Sequence, residues 1–107
     1  MDQKTKALFE ARAKIVKAMA HSTRLFIVET LSKKEYCVCE LTEMIGADVS
    51  TVSKHLSVLK EAGIVRDEKR GSSVYYYLRV PCVLNFFICV EAVIKSTAEE
   101  QMNILKG

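Results

Sequence analysis

The features that the sequence lacks exclude several classes of protein. No apolar stretch approaches the roughly 20 residues that span a bilayer, and the opening residues MDQKTKALFE lack the apolar centre of a secretory signal peptide. The chain has no internal repeats, no low-complexity runs and no linker rich in Gly, Pro or Ser. We therefore expect a cytoplasmic protein in which residues 1–107 form a single domain.

Sequence motifs of catalysis are missing as well. There is no Cys-x-x-Cys pair, no phosphate-binding loop, no catalytic dyad and no metal-hydrolase motif. Half of the 107 residues are hydrophobic and 27% are charged, which is an ordinary globular balance. We therefore expect a globular binding protein rather than an enzyme.

Positive charge is concentrated in two parts of the chain, although the net charge is only +3. Residues 1–24 carry six Lys and Arg against two Asp and Glu, and residues 50–79 carry six against three. Residues 25–49 carry two against five. This distribution favours a partner that carries phosphates.

The spacing of apolar residues predicts a mainly helical fold with a small β-hairpin. We expect helices over residues 4–19, from an N-cap at Ser22, over 38–45, over 50–62, and from Pro81 onward. Gly46 is expected to end the third helix in the left-handed conformation. Alternating residues in 64–68 and 73–79 predict a two-stranded hairpin around a basic tip, Lys69, Arg70, Gly71 and Ser72.

The third and fourth helices have the layout of a helix-turn-helix. The N-terminal end of the fourth helix carries hydroxyl side chains, which bind base edges and phosphates, and a helix N-terminus itself attracts phosphate. Lys69 and Arg70 of the following hairpin provide a second contact, to the DNA backbone or the minor groove. A solvated polar face on an ordinary helical domain is the alternative interpretation, and the basic hairpin argues against it.

The last helix has an apolar face broader than a surface helix of a monomer needs. The residues on this face are Val83, Leu84, Phe86, Phe87, Ile88, Val90, Val93 and Ile94. The first helix is amphipathic too. We therefore expect the first and last helices to form a homodimer interface.

The four cysteines form the second candidate site. In a reducing compartment, free thiols more often bind metals or react with oxidants than form structural disulfides. Cys37 and Cys39 lie two residues apart where the third helix begins, but this motif alone is weak because free cysteine is often simply buried. Cys82 and Cys89 are placed on the last helix, roughly 10 Å apart, so they do not easily bind one ion together.

Residues 48–65, DVSTVSKHLSVLKEAGIV, and residues 69–78, KRGSSVYYYL, resemble the ArsR/SmtB family of winged-helix repressors. The similarity extends from about Ala20 to Leu78. It implies a homodimer that binds a twofold-symmetric DNA operator and is released by an inducer. It also implies a recognition helix over residues 50–60, with Arg70 and Gly71 marking the wing. The recognition-helix residues nearest DNA would be Ser50, Thr51, Ser53, Lys54 and His55.

Residues 35–41, EYCVCEL, are similar to the box that carries arsenite or soft-metal ligands in this family. The match implies that Cys37 and Cys39 bind the inducer, since thiolates hold As(III), Cd(II), Pb(II) and Zn(II) better than oxygen ligands do. The helix start is expected to favour the thiolate form. No obligatory cofactor is expected. The three-thiol version of the box has a further cysteine where this chain has Thr42, so a third ligand is either Cys82 or Cys89, or absent.

Two alternatives remain open at this point, and one further kind of metal site is not expected. Residues 80–107 contain neither Asp nor His, so the family's Zn(II), Co(II) or Ni(II) site on the last helix is not expected. The nearest competing hypothesis keeps the DNA-binding half and makes the thiols a redox or persulfide switch between the third and last helices. A protein-interaction module would explain the broad last helix but not the basic wing.

Overall fold

The structure, a computed structural model, describes residues 1–106. Within this range the chain forms five helices and one three-stranded antiparallel sheet. In chain order the elements are α1 (Gln3–Met19), α2 (Ser22–Leu31), β1 (Tyr36–Cys37), α3 (Val38–Ile45), α4 (Val49–Glu61), β2 (Val65–Arg70), β3 (Ser73–Leu78) and α5 (Val83–Lys106). The predicted mainly helical fold with a small β-hairpin is confirmed.

The hydrophobic core lies between α2, α3, α4 and the sheet. Its fully buried large side chains are Ile27, Val28, Leu41, Val52, Leu56, Leu59, Ile64 and Val65. The three from α4 fall on one face because helical neighbours are three and four residues apart. Burying each such side chain contributes about 1.5–3 kcal/mol, so the polar face of α4 is held toward solvent.

A tight turn joins α3 to α4. Gly46 ends α3 with a φ of 77°, the left-handed conformation that was predicted. Asp48 then caps α4, because its Oδ1 accepts a hydrogen bond from the Thr51 backbone N–H at 2.7 Å. This pair of helices is the predicted helix-turn-helix, and α4 begins at Val49 rather than Ser50.

Two other helix starts were predicted incorrectly. The N-cap of α2 is His21 rather than Ser22, because the His21 Nδ1 accepts from the Thr23 N–H at 3.1 Å. Pro81 and Cys82 form a turn stabilised by hydrogen bonds between residues three apart, and α5 starts only at Val83. Cys82 therefore precedes α5 instead of lying on it.

The sheet is larger than predicted. β2 and β3 pair from Val65 opposite Leu78 to Arg70 opposite Ser73, so Lys69 and Arg70 are strand residues and the turn is Gly71 and Ser72. β1 was not predicted, since two residues are too few to show alternation. It pairs with β3 on the side opposite β2.

Helices α1 and α5 leave much apolar surface uncovered in a single chain. No residue of α5 is buried, and only Ala18 and Met19 of α1 are. Val93 and Ile94 are 65% and 64% exposed, although Val83 and Phe87 of α5 pack against the core. No helix in residues 1–106 is both long and apolar enough to cross a membrane.

Candidate DNA interface and thiol site

The recognition helix presents short polar side chains at its start. Ser50, Thr51 and Lys54 are exposed, and Ser53 is half-buried. The Ser50 hydroxyl donates to the Asp48 carboxylate at 2.8 Å. The hydrogen bond from the Thr51 N–H, and then the one from the Ser50 hydroxyl, hold the pKa of Asp48 below its usual value. Asp48 therefore occupies one of the amide donors that we expected to attract phosphate.

His55 is half-buried and has partners inside the protein. Its Nδ1 accepts a hydrogen bond from the Arg24 Nη1 at 3.1 Å, and its ring centroid lies 4.4 Å from that of His21. The Arg24 Nε also donates to the Ala18 carbonyl at 2.6 Å. Burial, followed by the electrostatic effect of the neighbouring His21 and Arg24 side chains, lowers the pKa of His55. Arg24, a residue of α2, thus links His55 of α4 to the end of α1.

The wing carries Lys69, Arg70 and Gly71 at the surface. The Arg70 Nη2 lies 3.0 Å from the Glu68 Oε2 and 2.7 Å from the Glu35 Oε2. These two carboxylates raise the pKa of the guanidinium, whose carbon also lies 4.9 Å from the centroid of the Tyr75 ring. The predicted wing arginine is therefore paired with acids of its own chain.

The two thiols of the Cys-x-Cys motif have different surroundings. Cys37 is buried and is the N-cap of α3: its Sγ accepts from the Glu40 N–H at 3.4 Å, and the Glu40 carboxylate accepts from the Cys37 N–H at 3.0 Å. Cys39, in the first turn of α3, is exposed. A hydrogen bond with the Cys39 thiol, and then burial, raise the pKa of Cys37. The helix start acts in the expected direction, since the Glu40 N–H lowers the pKa of Cys37, but the Cys39 hydrogen bond and burial outweigh it.

The other two cysteines lie elsewhere on the surface. Cys82 and Cys89 are exposed, and all four thiols are free. Within residues 1–106 of one chain, no three His, Cys, Asp or Glu side chains are close enough together to hold a metal ion. The hydroxyl of Thr42, in the position of the third cysteine of the box, is buried without a hydrogen-bond partner.

Sequence reasoning missed Arg24 and Glu35. Arg24 contacts a residue 31 positions away, and Glu35 contacts one on the far side of the hairpin. Apart from its charge, Arg24 has no local sequence feature that indicates a functional role. For Glu35, such an indication is its position two residues before Cys37.

Comparisons with known proteins agree with this architecture. The model of the bacterial regulatory protein family arsR matches residues 21–67. An uncharacterised HTH-type transcriptional regulator of Methanocaldococcus jannaschii is 38% identical over 71 residues, 65% of this chain and 80% of that protein. The cadmium resistance regulatory protein CadC of Listeria innocua is 40% identical over 70 residues, 64% of this chain and 59% of CadC.

Solved structures share the fold. The homodimeric winged helix-turn-helix DNA-binding domain of a possible ArsR-family regulator from Mycobacterium bovis has a TM-score of 0.78 and 28% identity, covering 94% of this chain and 93% of that one. The family model covers the helix-turn-helix and ends within β2, whereas the Mycobacterium bovis domain covers nearly the whole chain, the wing included. The chain therefore belongs to the ArsR family and is a winged helix-turn-helix transcriptional repressor rather than an enzyme.

Proposed function

We propose that the protein is a cytoplasmic, homodimeric repressor that leaves a twofold-symmetric operator when Cys37 and Cys39 bind an inducer. The inducer is arsenite or a soft metal ion, Cd(II), Pb(II) or Zn(II). The observation that carries this proposal is the position of the thiol pair. Cys37 caps α3, and only the turn at residues 46–48 separates α3 from the recognition helix.

The proposed DNA contacts lie on α4 and the wing. The exposed side chains of Ser50, Thr51 and Lys54 and the half-buried Ser53 would enter a major groove, while Lys69, Arg70 and Gly71 would lie along the backbone or minor groove. His55 would act mainly by fixing the position of α4, because its Nδ1 already binds Arg24. In a dimer, the two copies of α4 must lie about 34 Å apart to reach successive major grooves.

The homodimer would use α1 and α5. A groove of about 430 Å³ lies between α1, α2 and α5, and its walls are mostly apolar. Phe86 and Val90 line it on α5, and Val16 lines it on α1. A second copy would cover this surface, as the homodimeric state of the Mycobacterium bovis domain suggests.

Inducer binding would act through the cap of α3. A thiophilic ligand needs the Cys37 thiolate, so the thiol must lose its proton and turn its sulfur lone pairs to the ion. The hydrogen bond from the Glu40 N–H to that sulfur would then weaken. An N-cap is worth about 0.5–2 kcal/mol, enough to shift the start of α3 and, through the short turn, α4. CadC, a cadmium resistance regulator by name, supports a soft cation as ligand.

Fluorescence anisotropy of reduced protein on DNA from its own promoter tests the proposal. Arsenite, Cd(II), Zn(II) and polysulfide are added in separate titrations. We expect Cys37→Ser and Cys39→Ser to keep operator affinity and to lose release. Continued release from both variants would contradict the assigned site. Cys82→Ala and Cys89→Ala serve as matched variants, and whichever weakens arsenite binding identifies the third ligand.

A redox switch is the second candidate, because Cys39, Cys82 and Cys89 are exposed to soluble oxidants. Two thiols would give two electrons and two protons to a polysulfide, whose sulfur–sulfur bond is reduced while a protein disulfide forms. Release by polysulfide alone, with no response to arsenite or Cd(II), would favour this mechanism over ligand binding.

A further inference from the structure

Glu35 joins the thiol segment to the wing. Its carboxylate lies 2.7 Å from the Arg70 guanidinium, and it precedes β1, the strand that ends at Cys37. We propose that Glu35 is a positioning residue for DNA binding, which competes with the DNA backbone for Arg70 and transmits the state of Cys37 and Cys39 to the wing.

The competition follows from the surroundings of Arg70. Glu35 and Glu68 both bind its Nη2, and its guanidinium lies over the Tyr75 ring. A guanidinium binds phosphate through the same N–H groups that it donates to carboxylates. An Arg70 that approaches a phosphate must therefore give up at least part of its contact with Glu35. The side chains of both residues are over 40% exposed, so this exchange needs no unfolding.

The connection to the thiols is made by the sheet. Cys37 lies opposite Tyr75 in the β1–β3 pair, and Glu68 lies opposite Tyr75 in the β2–β3 pair. The thiol segment and the wing are thus parts of one sheet rather than separate units. A ligand that bridges Cys37 and Cys39 would fix β1, and with it Glu35, in the arrangement in which Arg70 is held.

Binding reciprocity gives the expected direction. DNA binding draws Arg70 away from Glu35, so a ligand that stabilises the Glu35–Arg70 contact weakens DNA binding. By thermodynamic linkage, DNA weakens binding of that ligand by the same factor. This second step rests on the proposed function. The competition itself does not, because it concerns the protein without inducer.

The first experiment measures operator affinity of Glu35→Gln without inducer. An exposed ion pair is worth about 0.2–1 kcal/mol, so we expect Kd to fall by up to about fivefold. Because the Glu35–Arg70 pair that must break in the wild type is exposed and screened by salt, this gain in affinity should shrink as the salt concentration rises. An unchanged Kd and an unchanged salt dependence would overturn the proposal.

Removing any acid near DNA raises affinity through long-range charge, so a double-mutant cycle with Arg70→Gln is needed. We expect Glu35→Gln to have little effect once Arg70 is absent. An equal gain in both backgrounds would show that Glu35 acts on DNA directly and would refute the competition.

The second experiment tests transmission, with Glu68→Gln as the matched control. Glu68 also holds Arg70 but is on β2, away from the thiol segment. We expect arsenite to weaken operator binding less in Glu35→Gln than in wild type, while Glu68→Gln responds fully. Arsenite binding, measured by mass spectrometry, should be equal in all three. Equal release would overturn transmission. If the wild type bound neither arsenite nor any of Cd(II), Pb(II) and Zn(II), the proposed function would instead be refuted, and the first experiment would remain valid.

Discussion

At the residue scale, Cys37 combines a structural and a chemical role. Its sulfur caps α3, and its thiol is one half of the proposed inducer site. Serine is among the preferred N-cap residues, so Cys37→Ser retains a hydroxyl acceptor for the Glu40 N–H. Loss of inducer response in this variant therefore reports on the thiol and not on a missing cap.

Thr42 offers a gain-of-function test at the same scale. It lies three residues after Cys39 on α3, so the two side chains share a helix face, and its buried hydroxyl lacks a partner. We expect Thr42→Cys to add a third thiol and to tighten arsenite binding roughly tenfold, or about 1.4 kcal/mol. Isothermal titration calorimetry of the reduced protein measures this change.

Met44→Cys is the control for Thr42→Cys. It adds a thiol to an exposed position of the same helix, five residues after Cys39 and turned to another side. Equal affinities in the two variants would mean that the thiol pair does not accept a third ligand from α3.

At the element scale, the orientation of α4 depends on contacts outside the helix-turn-helix motif. Arg24 of α2 donates hydrogen bonds to the His55 ring and to the Ala18 carbonyl near the end of α1. Removing the Arg24 side chain would leave the core face of α4 intact, but the polar face of α4 would lose this hydrogen-bonded link to α1 and α2. The position of the recognition helix is therefore set jointly by core packing and by one arginine.

This contact predicts a dependence of stability on pH. The charged and titratable groups that face His55 are His21 and Arg24, and the pKa of His55 is lowered in the folded state. The unfolded chain then binds more protons, so stability falls as pH drops below about 6.5, the ordinary histidine value. We expect urea unfolding to show a lower free energy at about pH 5.5 than at about pH 7.5.

His55→Gln should reduce this dependence, because the glutamine carbonyl accepts from Arg24 without titrating. If His55→Gln loses as much unfolding free energy as the wild type between about pH 7.5 and pH 5.5, the pH dependence comes from a group other than His55. The comparison is made above about pH 5, where carboxylates contribute little.

At the scale of the whole molecule, the exposed apolar surface of α1 and α5 is the main feature without a partner in one chain. Val93 is 65% exposed on α5. We expect Val93→Glu to dissociate the proposed dimer, since a charge in an apolar interface loses its hydration. Sedimentation should then show a monomer, and operator affinity should fall about 100-fold or more because bivalent binding is lost.

Lys95→Glu is the matched control for this prediction. It places the same side chain two residues further along α5, at a position that is already charged and exposed. A dimeric Val93→Glu protein would show that the interface lies elsewhere.

The sequence by itself determined the features that depend on local spacing. The helical repeats of α3 and α4, the left-handed Gly46 between them, and the alternating strands on either side of Gly71 are all visible in short windows. The proposed DNA-contact residues and the Cys37 and Cys39 pair follow from the same windows, and their roles remain predictions.

The tertiary structure alone decided the contacts between distant residues. β1 is only two residues long and exists because β3 provides its hydrogen-bond partners. The Glu35–Arg70 ion pair and the Arg24–His55 hydrogen bond join residues more than 30 positions apart, which no local pattern encodes. The burial of Cys37, the raised pKa of its thiol and the place of Cys82 before α5 also arose from packing and turn geometry. Local periodicity thus sets the helices and the hairpin, whereas β1 and the surroundings of the charged and thiol side chains are decided only when folding brings distant partners together.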